Sequence, residues 1–310
     1  MTRPVPQVAE TRQELADLLA PRRGHGAPVV LVPTMGALHA GHAALFRRAR
    51  KEAGDGPVVA SLFVNPLQFA PGEDLDRYPR TFDDDLAMAA REGVDVVFAP
   101  SVEEMYPGGE LLVTVEPGEL GAELEGASRP GHFRGVLTVV AKLFGLVRPD
   151  IAVFGQKDYQ QLVLVTRMSR DLCLGVEVVG AETVREDDGL ALSSRNRYLD
   201  PDERRRAAYL NRALRAAQER AAYGLPAARW AAMRLLDEVP EDELDLDYLT
   251  IRTPDLGAVV EPHPVDPTPA RILVAARVGT TRLIDNLPLT LGGATLPATG
   301  LAPAHPDRDQ

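Results

Sequence analysis

The sequence predicts an α/β chain: a doubly wound, mostly parallel sheet followed by a second, smaller α+β domain. Three observations carry that prediction. Apolar, β-branched runs at 29–32, 58–64, 95–98, 151–154 and 176–179 are nearly continuous rather than alternating, as strands buried on both faces must be. Helical patterns separate most of these runs, the βαβ rhythm that places strands side by side and parallel. Glycine, proline or asparagine follows several of them directly, so the chain turns where a strand ends.

Each element has its own justification. Residues 11–19 read as a short helix, with Thr11 at the N-cap and Glu14 at capping-box spacing. The helix expected over 41–53 puts Leu45 and Phe46 on one side and Arg47, Arg48 and Arg50 on the other, the pattern of a helix covering a sheet. Residues 111–115 read as a peripheral strand. The run 136–147 is apolar around most of a helical surface, with Lys142 in its middle, and is expected between layers. A strand at 151–154 leads into a helix reaching about residue 172. Residues 183–199 mix turn formers with charges and read as a hinge. From Pro201 arginine and alanine dominate in helical patterns, and strand-like runs follow at 246–251, 271–277 and 282–286. The expected division is therefore 1–183, a smaller domain at 184–290, and a disordered tail at 291–310, where periodicity is lost.

Composition narrows the function. The chain has 310 residues, 45% of them hydrophobic, enough for both cores. No apolar run approaches the length of a membrane span and residues 1–10 hold no signal core, so the cytoplasm is the expected location. A formal charge of −11 argues against nucleic acid or an anionic membrane as partner. The single cysteine, Cys173, can form no internal disulfide and is expected to fill core space. Only Lys51, Lys142 and Lys157 are lysines; arginine supplies nearly all the positive charge. Lysine offers a compact ammonium suited to a single phosphate oxygen, and Lys157 follows a strand-ending glycine, Gly155, at a helix start.

The stretch 29–42 organises the rest. After the strand and Pro33, His39 and His42 share a helical face in a first turn, where backbone N–H groups lack partners and the dipole favours anions. That outlines a phosphate site, with Gly36 and Gly41 allowing close approach to the backbone. An ordinary turn with two solvated histidines is the plain alternative; a zinc pair is another, short of further ligands in a chain with one cysteine. Asn65 and Gln68 follow the strand at 58–64, on the edge where α/β sheets bind ligands. Their amides both donate and accept, which suits a hydroxy acid, although Asn-Pro also simply ends strands. The Gly- and Pro-rich loop 123–135 carries Arg129, His132 and Arg134 over the scaffold, a ligand loop or a solvated crossover. Ser193, Ser194 and Arg195 offer hydroxyls and a guanidinium fork to a polyphosphate. The acidic stretch 73–85 reads as the start of a helix, with Asp83 favoured in the first turn.

Five strings, in order, resemble one known family. P-T-M-G-A-L-H-x-G-H at 33–42, F-V-N-P-x-Q-F at 63–69, R-P-G-H-F-R-G-V at 129–136, F-G-x-K-D-Y-Q-Q at 154–161 and A-L-S-S-R-N-x-Y-L at 191–199 are similar to the motifs of the pantoate–β-alanine ligases, within the nucleotidylyltransferase superfamily marked by HxGH. The 191–199 loop also resembles, in role, the K-M-S-K-S loop of class I aminoacyl-tRNA synthetases. The resemblance implies a Rossmann-like sheet, a C-terminal domain acting as a lid, a homodimer, and ATP with Mg²⁺. It implies ATP contacts at Met35, Gly36, Ala37, Leu38, His39, Ala40, Gly41, His42, Gly155, Gln156, Lys157, Asp158, Val184, Leu192, Ser193, Ser194 and Arg195, with His39, His42, Lys157 and Arg195 catalytic. It further implies pantoate and β-alanine contacts at Asn65, Gln68, Arg129, His132 and Gln161, and magnesium at Asp84 and Asp85.

The implied chemistry is adenylation. A carboxylate is a poor electrophile, so pantoate's carboxylate would attack the α-phosphorus of ATP, and β-alanine's amine would then displace AMP from the pantoyl adenylate. His42 is the expected proton relay in the second step. Two rivals remain: an adenylyltransferase of coenzyme synthesis using the same turn, and a sensor that binds ATP without turnover. A tRNA synthetase is disfavoured, since no basic anticodon-binding domain follows Ser193.

Overall fold

A computed structural model describes residues 5–23, 26–69, 75, 81–109, 111–259 and 266–294. Two compact units result, Met1–Arg204 with Leu283–Asp285, and Arg205–Arg282 with Asn286–Gln310. The Ser193–Arg195 loop thus groups with the first unit.

The first unit holds strands β1 (Gln7–Ala9), β2 (Val30–Thr34), β3 (Val58–Leu62), β4 (Val96–Phe98), β5 (Ile151–Gly155) and β6 (Glu177–Ala181). They form one sheet in the order β1-β4-β3-β2-β5-β6, and every pairing is parallel. Its helices are α1 (Arg12–Leu19), α2 (Ala40–Ala53), α3 (Phe82–Glu92), α4 (Val102–Met105), α5 (Glu125–Ser128), α6 (His132–Val147) and α7 (Tyr159–Asp171). The expected capping box opens α1: Thr11 accepts from the Glu14 amide and Glu14 from the Thr11 amide.

Strand residues alternate between two cores, which is what makes the sheet doubly wound. Val30 and Val32 pack with Phe46, Ala49 and Ala89 from α2 and α3. Leu31 packs on the opposite face with Leu15 of α1, Val136 and Phe144 of α6 and Leu164 of α7. From the β2–β5 pair, held by Val30↔Ile151 and Leu31↔Ala152, chain order runs outward through β3 and β4 on one side and to β6 on the other, with β1 added at the edge beside β4. The loops leaving β2 and β5 therefore open a crevice at the carboxyl edge, the switch point where such sheets bind ligands.

Two expectations change, at 111–115 and at Cys173, and one unpredicted strand appears. No strand forms at 111–115; Leu112 and Val113 are almost fully exposed, while Leu111 and Val115 lie against the core. A short strand, β1, forms over three residues whose letters carry no strand pattern of their own. Cys173 is exposed, because it sits in a turn after α7 at φ 53, outside the core. Of the expected tail, Leu291 ends the last strand, and residues 295–310, like Glu73, Asp74 and Asp76 of the acidic stretch, lie outside the described residues.

Helix α8 (Pro201–Arg220) leads into the second unit, which contains α9 (Leu225–Leu236), the strands β7 (Asp245–Arg252) and β8 (Thr268–Val278), and β9 (Thr281–Leu291) apart from its residues Leu283–Asp285. The strands form a sheet in the order β7-β8-β9, with β7 and β8 antiparallel.

Candidate active site

His39 is the N-cap of α2, and its Nδ1 accepts the Gly41 amide at 3.1 Å. His42, three residues on, accepts the His39 amide on its own Nδ1 at 3.3 Å. These reciprocal bonds form a capping box built from two imidazoles, with ring centroids 4.2 Å apart. A ring nitrogen that accepts carries no proton, so the network assigns both neutral rings to the tautomer with Nε2–H free to donate. Gly41 is required here, since a Cβ would come within 2.8 Å of the His39 ring.

The preceding turn is anchored from below. Gly36 and Ala37 both adopt positive φ, 82 and 51, which curls successive amides toward one point. Asp85 of α3 fills it: Ala37 N–H donates to Oδ2 at 3.0 Å, Leu38 N–H to Oδ1 at 2.8 Å, and the Thr81 hydroxyl to Oδ1 at 3.1 Å. Gly36 N–H donates to the Thr34 hydroxyl. The turn's amides, expected to meet a phosphate, are thus engaged within the protein; the groups left facing outward are imidazoles.

Those imidazoles face a cleft of about 280 Å³. Met35, His39, Gly41 and His42 line it from the β2 loop, Gly155, Lys157, Asp158 and Gln161 from the β5 loop and α7, and Val184, Leu192, Ser193, Ser194 and Arg195 from the following segment. Gly36, Ala37, Leu38, Ala40 and Gln156 do not line it; Gln156 reaches the Gly180 carbonyl instead. Burial, helped by His39, pushes His42 down from its ordinary value to about 3. His39 is also lowered, by burial and then by the Lys157 and Arg197 cations. Burial pushes the Asp158 carboxyl up, but the Lys157 ammonium 3.4 Å away and the Arg195 guanidinium outweigh it and hold the group below its ordinary value. Its side chain still faces the open part of the cleft, 53% exposed.

The other end of the cleft is built around Gln68. Its backbone carbonyl accepts from His132 Nδ1 at 2.8 Å and from Arg129 at 3.2 Å, and Arg129 also donates to His132 Nε2. The space for this turn exists because residue 135 is glycine: a Cβ there would lie 2.1 Å from the Leu67 carbonyl oxygen. Asn65 is 1% exposed, and its side chain is engaged on every side. Oδ1 accepts from the Tyr106 hydroxyl at 2.7 Å and the Leu67 amide at 3.3 Å, while Nδ2 donates to the Gly135 carbonyl at 3.2 Å and Gln68 Oε1 at 3.1 Å. Asn65, expected to touch substrate, lines the cleft with Gln68, Arg129 and His132, and its bonds also make it a support for Gln68. Arg134 points elsewhere, 57% exposed and 3.8 Å from Glu116.

A family model described as pantoate-beta-alanine ligase matches residues 7–288. The chain belongs to this family. A pantothenate synthetase from a Nocardioides species is 64% identical over 98% of this chain and 91% of its own. The crystal structure of pantothenate synthetase from Thermus thermophilus superposes with a TM-score of 0.81 at 52% identity, covering 91% of this chain and 98% of that one. A Francisella tularensis pantoate-beta-alanine ligase, crystallised with a βγ-ATP compound and β-alanine, gives a TM-score of 0.72 at 32% identity over 91% and 97% of the two chains.

In this ligase the carboxylates expected to hold magnesium do not converge. Asp84 is exposed, whereas Asp85 is 3% exposed and turned into the β2 loop. Among the described residues no group of three histidine, cysteine, aspartate or glutamate side chains could hold a metal ion. The pair does not fit a protein-built magnesium site. The zinc alternative fails among those residues for the same reason.

Three residues have roles that went unread in the sequence. Asp85 braces a turn 47 positions earlier in the chain, and no local pattern reports that. Gln160, 3% exposed, fixes the 119–125 loop through the Leu120 and Glu123 carbonyls and the Glu125 amide, leaving its neighbour Gln161 to the cleft. Helical periodicity could have separated the two glutamines. Tyr106 ends α4 and reaches Asn65 from the carboxyl end of β4.

The depressed His42 pKa fixes a sign for stability. Below pH 6.5 the unfolded chain takes up a proton that the folded ring refuses until about pH 3, so stability present above 6.5 is lost progressively as pH falls through that window. At pH 5 the loss from this ring is about 2 kcal/mol. Urea unfolding of His42→Gln should show a correspondingly shallower decline between pH 7 and pH 5 than the native chain. Equal declines would remove the buried, neutral ring from the account.

Proposed function

We propose that His39, His42, Lys157, Ser193, Ser194 and Arg195 hold the triphosphate of ATP, and that Gln68 and Gln161 hold pantoate beside it. The carrying observation is that the β2 and β5 loops and the 193–195 loop line one cleft at the sheet's switch point, which Gln68 and Gln161 also line. The reaction is the ATP-dependent joining of pantoate and β-alanine through a pantoyl adenylate. A carboxylate oxygen of pantoate attacks the α-phosphorus, and pyrophosphate leaves with the bridging electron pair. Donors already fixed around the leaving oxygens lower the barrier by stabilising charge as it develops. The amine of β-alanine then attacks the acyl carbon and AMP departs.

The tautomer assignment bears on His42. A ring whose Nδ1 is engaged by an amide and whose pKa is near 3 is a poor base, so its reading here is as an Nε2–H donor to phosphate. The amine's proton goes to water in the open cleft. Asp158 supports Lys157 and limits how strongly the cations hold pyrophosphate. Mg²⁺ is proposed as part of the substrate, riding on the phosphate oxygens of ATP with its waters. The homodimer and the cytoplasmic location are part of the same proposal. No helix among the described residues is long and apolar enough to cross a membrane.

The test is product identity and partial reaction. With ATP, Mg²⁺, pantoate and β-alanine the protein should release AMP and pyrophosphate; with β-alanine omitted it should exchange labelled pyrophosphate into ATP only when pantoate is present. Formation of ADP, or exchange that ignores pantoate, would overturn the reading.

A further inference from the structure

Gln68 can recognise a carboxylate or hydroxyl oxygen only if its NH₂ end, rather than its carbonyl, faces the ligand, and the two ends of an amide have nearly the same shape. Something must choose. In this protein Gln68 Oε1 is engaged by Asn65 Nδ2 at 3.1 Å, which leaves Nε2 on the cleft side, 2.9 Å from Met35 Sδ. Asn65 has the same ambiguity, which the Leu67 amide, able only to donate, and the Gly135 carbonyl, able only to accept, resolve; its shortest bond, received from the Tyr106 hydroxyl at 2.7 Å, holds it in place. The other three Asn65 bonds are 3.1–3.3 Å.

Tyr106 is itself held. It is 3% exposed, with the Phe63 ring edge-on at 5.9 Å and the Lys142 ammonium 5.5 Å from its ring centre. Lys142, stranded in an apolar helix by the sequence pattern, thereby has a place. Burial pushes the phenol's pKa up, so it remains a donor. The tyrosine is not among the residues lining the cleft, whereas Gln68 and Met35 are.

We infer that Tyr106 is a positioning residue for the hydroxy-acid subsite: its buried hydroxyl fixes Asn65, and Asn65 fixes which end of the Gln68 amide meets the substrate. The inference rests on the placement of pantoate at Gln68 proposed above. Removing the hydroxyl leaves Asn65 correctly oriented but on its longer bonds, so Nδ2 holds the Gln68 carbonyl less firmly, Gln68 turns its wrong end to the cleft more often, and pantoate binding weakens while the phosphate end is untouched.

The experiment is Tyr106→Phe, which keeps the ring and its packing. The pantoate KM should rise about tenfold, the size expected for losing one short buried bond, with kcat and the KM values for ATP and β-alanine within about twofold of native. A double-mutant cycle with Gln68→Ala then separates positioning from general damage: acting through Gln68, Tyr106→Phe should add less than about twofold in the Gln68→Ala background. A pantoate KM unchanged by Tyr106→Phe, full multiplication of the two effects, or an equal rise in the ATP KM would each overturn the inference. Failure of the native protein to use pantoate at all would instead count against the placement on which it rests.

Discussion

Lys157→Ala is expected to slow pantoate-dependent pyrophosphate exchange by about a thousandfold, the scale on which a single preorganised charge stabilises a transition state. Its reaction of supplied pantoyl adenylate with β-alanine should slow less than about tenfold. The asymmetry follows from where the ammonium sits. Lys157 lines the cleft with His39 and Arg195 and is only 19% exposed, so on the proposed placement of ATP it would bear on phosphate oxygens that leave before β-alanine reacts. Lys157→Arg should restore little, because a planar fork cannot occupy the place of a compact ammonium beside Asp158. The substitution to alanine also removes a cation that lowers the His39 pKa, so residual activity should fall off at a higher pH on the acid side than in the native chain. Single-turnover measurement of both half-reactions decides it: equal losses would contradict a role on the polyphosphate.

The second large effect is expected at Asp85. Asp85→Ala leaves the Ala37 and Leu38 amides buried without their acceptor, in a turn already at positive φ, and should destabilise the protein by about 3 kcal/mol. Because that turn sets the start of α2, the two imidazoles shift with it, and a displacement of about 1 Å costs on the order of a hundredfold in rate. Magnesium separates this role from ligation. If Asp85 braces the turn, both losses persist at any Mg²⁺ concentration; recovery of activity at high Mg²⁺, with unchanged unfolding, would return Asp85 to the metal.

The fold was legible because strand burial writes itself into composition. Val30, Leu31 and Val32 face alternate cores, so none could be polar, and the run is visible without neighbours. The cleft was legible at Lys157, His39, His42 and the 193–195 loop because strand ends in an α/β sheet converge by topology. What stayed hidden was satisfaction. Whether the amides of Ala37 and Leu38 are free for a phosphate depends on Asp85, and whether Asn65 is free for a substrate depends on Tyr106 and Gly135. Neither dependence has a period or a local spacing. The 111–115 run failed for a related reason: its letters suit a strand, yet no neighbouring strand pairs with it in the described sheets.

The imidazole capping box has a consequence that reaches past this reaction. Many nucleotide sites grasp phosphate with peptide nitrogens, and such a grasp can change only when the chain itself moves. Here the main chain of the turn is committed inward and, with the triphosphate placed as proposed, side chains make the hold, so single substitutions can grade its strength, at the expense of the α2 cap only where the side chain is His39 or His42. A catalyst made this way can drift between tighter and looser retention of its leaving group without ever being refolded.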